Sequence, residues 1–489
     1  MKHLSLFIWL LIIDATRPDS IDSVALNQFK DAVVELQNSE LMRHGTLSVS
    51  VKNVSTGKVL TAMNHQQSLP SASTLKLVTT ATALSVLGGD FTYKTYLEYD
   101  GQVENDTLKG NLYLRGTGDP TLGSDRFKGY PGDAALIRRW TEAVRNAGIR
   151  YVQGQVVADA SYFDEQPLAD SWIWGDVGNY YGAGVRGLNF NENMYRVYFR
   201  PGQNMGDPTE VVGTSPSMPY MTFTNRVTTG ESGSGDQVII YSSPIGNGAV
   251  LTGTVPRGVA SFSVKGAIPD AAYYVASALQ QSLLNDSIMV AGGAVVWGSV
   301  PGPQSTRTVL NTYTSPPLRD ITQETNWWSV NLFADALLKT TGKRLTNRSD
   351  FDSATGAVAT YWQNKGVDVR GFYIKDGSGL SPTGSLTTQN LTDILNAAAK
   401  DKAFDDFYRS IAVMGQSGTV RNLGKGTRAA GNIRAKSGSI EGTRAFAGYV
   451  TTRSGERLSF TIIAHKYQPE NSRQISRELV QLMTLLASL

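Results

Sequence analysis

Cysteine is absent from the 489 residues. That absence excludes disulfides, thiolate nucleophiles, zinc–thiolate sites and a lipid-modified cysteine together. Histidine is scarce: only His3, His44, His65 and His465 occur, and none has a metal-binding spacing such as H-E-x-x-H. Charged residues make up only 18% of the chain and the formal net charge is +3, with no Lys/Arg-rich block. A protein that holds nucleic acid by its charge is therefore excluded. No apolar run approaches the ~20 residues of a membrane-spanning helix. The stretch Leu4–Ile13, preceded by Met1-Lys2-His3, is too short to span and reads as an export leader over residues 1–20.

What remains is a soluble globular composition, 41% hydrophobic, on a chain long enough for two or three domains. Forty-nine glycines predict many turns and much β-structure. Residues 20–42 carry an apolar stripe at helical spacing through Val24, Phe29, Val33 and Leu36. Leu47–Val51 alternates and is followed by a Ser55-Thr56-Gly57 turn and Val59-Leu60, which predicts a hairpin. A helix is expected from Ser73 to Leu87, ended by Gly88-Gly89. From about Thr92 to Val300 short alternating segments dominate, with one helix near Ala271–Leu284. Helical patterning returns over Asn326–Thr341. Strands over Arg444–Thr451 and Leu458–His465 then precede a final helix bearing Ile475, Leu479, Leu482, Met483 and Leu486. The simplest architecture is an α/β (α+β) domain built from both chain ends, with a β-rich region inserted into it.

No G-x-S-x-G elbow occurs, which argues against an ordinary α/β-hydrolase. Lysine can replace histidine as the base for a serine nucleophile. Residues i and i+3 of a helix share a face, and a desolvated lysine near other cations shifts toward the neutral amine. Two S-x-x-K matches exist. Ser55-Thr-Gly-Lys58 falls in the predicted turn. Ser73-Thr-Leu-Lys76 opens a helix, where the serine amide is among the free N–H groups suited to a developing oxyanion. Alone the pattern is weak and reads far more readily as a helix-capping serine beside a solvated lysine. Two further elements change that: Ser329-Val-Asn331 at an expected helix start, and Lys436-Ser437-Gly438 just before the paired terminal strands. The order S-x-x-K, S-x-N, K-[ST]-G is that of penicillin-binding proteins and serine β-lactamases. Ser329 can relay a proton, Asn331 can hold a peptide carbonyl, and Lys436 with Ser437 can bind a terminal carboxylate. Gly438 lets an extended ligand lie against the strand edge.

The sequence resembles the D-alanyl-D-alanine carboxypeptidase/endopeptidases of the penicillin-binding protein 4 type. The resemblance runs over nearly the whole chain after the leader. It is carried by Pro70-Ser-Ala-Ser-Thr-Leu-Lys76, Gly116-Thr-Gly-Asp-Pro-Thr-Leu122, Asp376-Gly-Ser-Gly-Leu-Ser381, Gly418-Thr419, Arg434-Ala-Lys-Ser-Gly-Ser439 and Ala447-Gly-Tyr-Val450. The spacing of 256 positions from Ser73 to Ser329 also resembles this type, and is too long for a compact β-lactamase. The resemblance implies a serine β-lactamase/transpeptidase-like domain over 21–92 and 301–489. A second domain over 93–180 and 265–300 would interrupt it, with a third over 181–264 nested in the second. It implies an acyl-enzyme on Ser73, with Lys76 as base, Ser329 and Lys436 assisting, and the amides of Ser73 and Ser439 as oxyanion hole. Expected partners are peptidoglycan stem peptides, with β-lactams as inhibitors, in the periplasm or cell envelope. No metal or cofactor is required, no stable membrane span is expected, and the sequence carries no sign of oligomeric state.

Three positions depart from the family pattern. Ser437 stands where threonine is common and keeps the hydroxyl. Val330 is apolar, but the outer residues of S-x-N carry the roles. Pro382 stands where family members often carry an arginine that helps bind the stem-peptide side chain. Asp159 matches a family position near the site for a side-chain amine, a capped turn being the alternative. Two rival readings are a β-lactamase or esterase on the same fold, and a non-catalytic peptidoglycan-binding module.

Overall fold

The computed structural model describes residues 22–297 and 306–489; the expected leader over 1–20 lies outside them. Both chain ends build one five-stranded antiparallel sheet, in the order Val59–Met63, Thr46–Asn53, Arg457–His465, Thr443–Thr451, Ile433–Ile440. Its central strands are apolar almost throughout because both faces are covered. On one face lie the helices Ser23–Asn38 and Ser472–Ala487, packing Phe29, Val33, Ile475, Leu479 and Met483 against Val49, Phe446 and Phe460. On the other lies a helical layer holding Lys76–Leu87, Leu318–Trp328, Asn331–Thr346, Phe351–Asn364 and Thr388–Ala398.

The intervening chain forms separate smaller sheets. A mixed five-stranded sheet runs Ala294–Val296, Val156–Asp159, Leu112–Gly116, Lys94–Tyr99, Thr308–Thr314. Thr308–Thr314 thus pairs with the first strand after the Lys76 helix before the chain returns to the helical layer. The insertion has its own core around Trp140, Phe190, Tyr195 and Leu279.

The structure differs from the sequence expectations at three places. A second helix, Asp133–Asn146, lies in the β-rich region and packs Leu136, Trp140 and Val144 inward. The single helix expected over Asn326–Thr341 is two: Leu318–Trp328 ends at Ser329 with φ +60°, and a new helix starts at Asn331. A strong apolar stripe on both sides hides this break, because a single left-handed residue leaves no compositional trace. Lys436 lies within a strand, Ile433–Ile440, which forms the edge of the terminal sheet rather than preceding it.

Candidate active site

The three motifs converge although they lie far apart in the chain. Ser73 sits in a short 3₁₀ turn, Ala72–Leu75, that runs directly into the helix from Lys76. Lys76 Nζ donates to Ser73 Oγ at 3.0 Å, to Asn331 Oδ1 at 2.6 Å and to the carbonyl of Ser378 at 2.7 Å. On the facing strand, Lys436 Nζ donates to Ser329 Oγ at 2.9 Å and to the carbonyl of Ser437 at 2.7 Å. The Ser437 hydroxyl lies 2.8 Å from that of Thr419. Asn331 uses both ends of its amide: its Nδ2 donates to the backbone carbonyl of Tyr181 at 2.8 Å. This fixes the amide orientation and leaves its second N–H for a ligand. Two motif residues have strained backbones. Ala72 and Ser329 both have positive φ, +45° and +60°, conformations that cost about 1–3 kcal/mol each and persist only where surroundings impose them.

Gly438 is where the edge strand passes the nucleophile. A Cβ placed there would lie 2.8 Å from the carbonyl oxygen of Ser71 and 3.1 Å from the amide nitrogen of Ser73. Gly438→Ala is therefore expected to push strand and nucleophile apart. Acylation should fall about 10–100-fold, since an ångström of misplacement has that effect, with a stability loss of about 1–3 kcal/mol from overpacking. Stopped-flow acylation together with urea unfolding checks both figures.

Electrostatics separate the two lysines. Burial brings Lys76 down to about 8, against the opposing pull of the Asp335 and Asp376 carboxylates. Lys436 is pushed well below the ordinary lysine value by burial first, then by the charges of Lys76 and Arg444. No carboxylate lies within ion-pair distance of Lys436 among the described residues. The Asp335 carboxyl is raised, by burial and then by the charge of Asp376.

Asp335 and Asp376 are the site residues that the motif reading left without a role. Asp335 accepts the N–H of Gly377 at 2.7 Å. Asp376 accepts those of Gly379 and Ser381 at 2.7 Å each, and the indole N–H of Trp172 at 2.8 Å. Together they fold the 376–381 loop so that the Ser378 carbonyl points at Lys76 and the Gly377 carbonyl at Thr79. Gly379, with φ +75°, lies where a Cβ would meet the Ala72 carbonyl oxygen at 2.0 Å. A sequence signal for Asp335 does exist. Asn331, Asp335 and Lys339 recur at i, i+4 and i+8 along one face of a helix whose neighbouring positions are Leu332, Phe333, Ala334, Ala336, Leu337 and Leu338, and polar residues repeated on one face amid such apolar ones mark a buried network. Lys339, wholly buried, ends the stripe in an ion pair with Asp164 at 2.8 Å.

Ser73, Ser329, Asn331 and Ser439 open onto a cleft of about 1070 Å³ between the catalytic helices and the insertion. Its far wall carries Asp176, which accepts from the Tyr181 hydroxyl at 3.1 Å, and Glu192, paired with Arg126 at 2.8 Å. Partial burial raises the Asp176 carboxyl. Pro382 lines the cleft too. Asp159 does not. Its carboxylate accepts from Arg307 at 2.7 Å and from the Ser161 hydroxyl at 2.6 Å inside the inserted sheet. The expected place beside a substrate amine is therefore not met, and the capped turn is what the geometry holds. Asp176, with no motif around it beyond the Trp172-Ile-Trp174 run, is one of three acidic residues that line the cleft, with Glu192 and Glu441.

A serine bonded to a buried lysine, with S-x-N and K-S-G elements around it, is the motif set of the penicillin-recognising serine hydrolases. The model of the D-Ala-D-Ala carboxypeptidase 3 (S13) family matches residues 31–486, and the chain belongs to that family. A D-alanyl-D-alanine carboxypeptidase from an Actinomadura species is 28% identical over 451 residues, 90% of this chain and 81% of the relative. Among solved structures, penicillin binding protein 4 (dacB) from Haemophilus influenzae superposes with a TM-score of 0.78 at 22% identity, over 95% of this chain and 99% of that one. The same protein complexed with a β-lactam gives 0.74 at 21% identity, over 94% and 97%. At these identities the structural likeness shows the fold, a mixed α/β architecture with a helix-flanked antiparallel sheet.

Proposed function

We propose that this protein is a serine D-alanyl-D-alanine carboxypeptidase that works through an acyl-enzyme on Ser73. The observation that carries this reading is the 3.0 Å bond between Ser73 Oγ and a Lys76 whose amine is shifted toward neutrality. Lys76 takes the Ser73 proton as Oγ attacks the carbonyl carbon of the penultimate D-alanine. The amides of Ser73 and Ser439 hold the oxyanion. The peptide C–N bond breaks, and the departing amine takes the proton back from Lys76, with Ser329 and Lys436 as the alternative route. Water then attacks the Ser73 ester and frees the shortened stem peptide. Lys436, Ser437 and Thr419 receive the substrate carboxylate, whose negative charge favours the protonated form of Lys436, the proton coming from solvent. Asn331 holds the peptide carbonyl with its free N–H, and Asp176 offers a counter-charge for an amine further along the stem. Hydrolysis of a D-alanyl cross-link uses the same atoms with a different leaving amine, so D,D-endopeptidase action belongs to the same reading.

The same reading assigns 21–92 and 301–489 to the catalytic unit, 93–180 and 265–300 to a second unit, and 181–264 to a third. Thr308–Thr314 lends its strand to the second. It also places the protein outside the cytoplasm, where peptidoglycan is. No helix among the described residues is long and apolar enough to cross a membrane.

The test is mass spectrometry after incubation with benzylpenicillin. One adduct on the Ser73 peptide, persisting for minutes, is the expected result. Turnover of penicillin without an accumulating adduct would favour a β-lactamase, and no reaction at all would favour a non-catalytic wall-binding module.

A further inference from the structure

The insertion carries an aromatic pair beside the cleft, an exposed Trp174 on a half-buried Tyr241, that the chemistry at Ser73 does not use. Trp174 is 69% exposed, unusual for a residue so large. Its ring packs against Tyr241 with centroids 4.8 Å apart and planes at 55°. Ile239, on the same face of the Tyr241 strand, is exposed as well. The pair is held rigidly. Trp174 opens a single helical turn, Trp174–Val177, whose capping Gly178 lies so close to the Ile240 carbonyl that a Cβ would come within 1.9 Å of it. The immediate neighbours tie the pair to the cleft: Ile173 and Asp176 both line it.

We propose that Trp174 and Tyr241 form a sugar-binding platform for the glycan strand that bears the stem peptide. The proposal rests on the carboxypeptidase reading of the cleft. The C–H face of a pyranose is apolar and flat, its edge is polar, and an exposed ring on a rigid turn matches that face at little entropic cost. The Tyr241 strand is the edge of its sheet, but the Trp174 turn packs against it at the Ile240 carbonyl and takes up the space an added peptide strand would need. Distance supplies the second argument. The four or so residues between the scissile bond and the sugar reach about 14 Å when extended. The glycan must therefore lie at the rim of the cleft in which the stem is bound, and Ile173-Trp174 is such a rim.

The test compares Trp174→Ala, Tyr241→Ala and Tyr241→Phe with the wild type in cosedimentation with intact sacculi and with glycan strands stripped of stem peptides by an amidase. The two alanine variants should bind both polymers about five- to tenfold more weakly, and Tyr241→Phe should bind as the wild type does. D-Alanine release from a soluble pentapeptide and acylation by benzylpenicillin should stay within about twofold in all three. Unchanged polymer binding by the alanine variants, or wild-type binding that vanishes when the peptides are removed, would overturn the platform. A parallel loss on the soluble pentapeptide would overturn it too, by assigning the pair to the peptide site. Failure of the carboxypeptidase reading shows separately, as a wild type that neither releases D-alanine nor is acylated.

Discussion

Ser73→Ala should take up no benzylpenicillin and release D-alanine from a soluble pentapeptide at least about 10⁴-fold more slowly than the wild type, the scale on which removal of a nucleophile acts. The fold should hardly notice. Ser73 is only half-buried, and the hydroxyl's bond is to Lys76, which retains Asn331 and the Ser378 carbonyl as acceptors. Loss of one hydrogen bond from a partly exposed group is worth about 1 kcal/mol. Thermal unfolding within a few degrees of the wild type, alongside dead chemistry, is the expected pair of results. Hydrolysis at the wild-type rate would move the nucleophile elsewhere.

Lys76→Met should slow acylation about 10²–10⁴-fold, the usual range for a general base, and should flatten its pH dependence. The sign follows from the role. A base works unprotonated, so acylation by the wild type should rise about tenfold per pH unit below pH 8 and level off above it. With a value of about 8, roughly one Lys76 in ten is neutral at pH 7, against about one in 3000 for an ordinary lysine near 10.5. Burial thus supplies some 300-fold of usable base. The methionine variant removes the cation beside Asp335 and Asp376, a change that would strand buried carboxylates in many proteins. Here Asp335 is already raised by burial and by its neighbour, so it can take up a proton instead. A pH–rate profile of benzylpenicillin acylation from pH 5.5 to 9.5 for both proteins is the measurement. A wild-type profile that falls as pH rises through 8 would remove Lys76 from the base role.

Much of this arrangement was legible in the sequence, for stated reasons. Ser73, Lys76, Ser329, Asn331 and Lys436 are found by type and order because each position tolerates so few chemistries. The sheet from both chain ends was legible because Leu47–Val51 and Leu458–His465 alternate or run apolar as buried strands do. What stayed hidden depends on backbone geometry or on long-range pairing. The break at Ser329 is one dihedral angle. The edge strand Ile433–Ile440 contains Lys436, Ser437 and Gly438, which look like a loop until a partner strand is supplied. Helix Asp133–Asn146 was missed because its polar face outweighs Leu136, Trp140 and Val144. Asp159 was misplaced because Asp-Ala-Ser-Tyr says only that a turn follows; which carboxylate faces the cleft is decided by Arg307, 148 residues away.

The terminal sheet also sets a clock. Thr46–Asn53 pairs with Val59–Met63 on one side but waits for Arg457–His465 on the other, and the strand that carries Lys436 lies beyond that second pair. A ribosome delivers Ser73 hundreds of residues before the strand that carries Lys436. A half-delivered chain therefore holds Ser73 with no Lys436 strand to face it, and loop closure over such a span is slow. The surroundings of Ser73 are therefore complete only once the terminal strands have been made, and a chain cut short of them lacks the Lys436 side of the site.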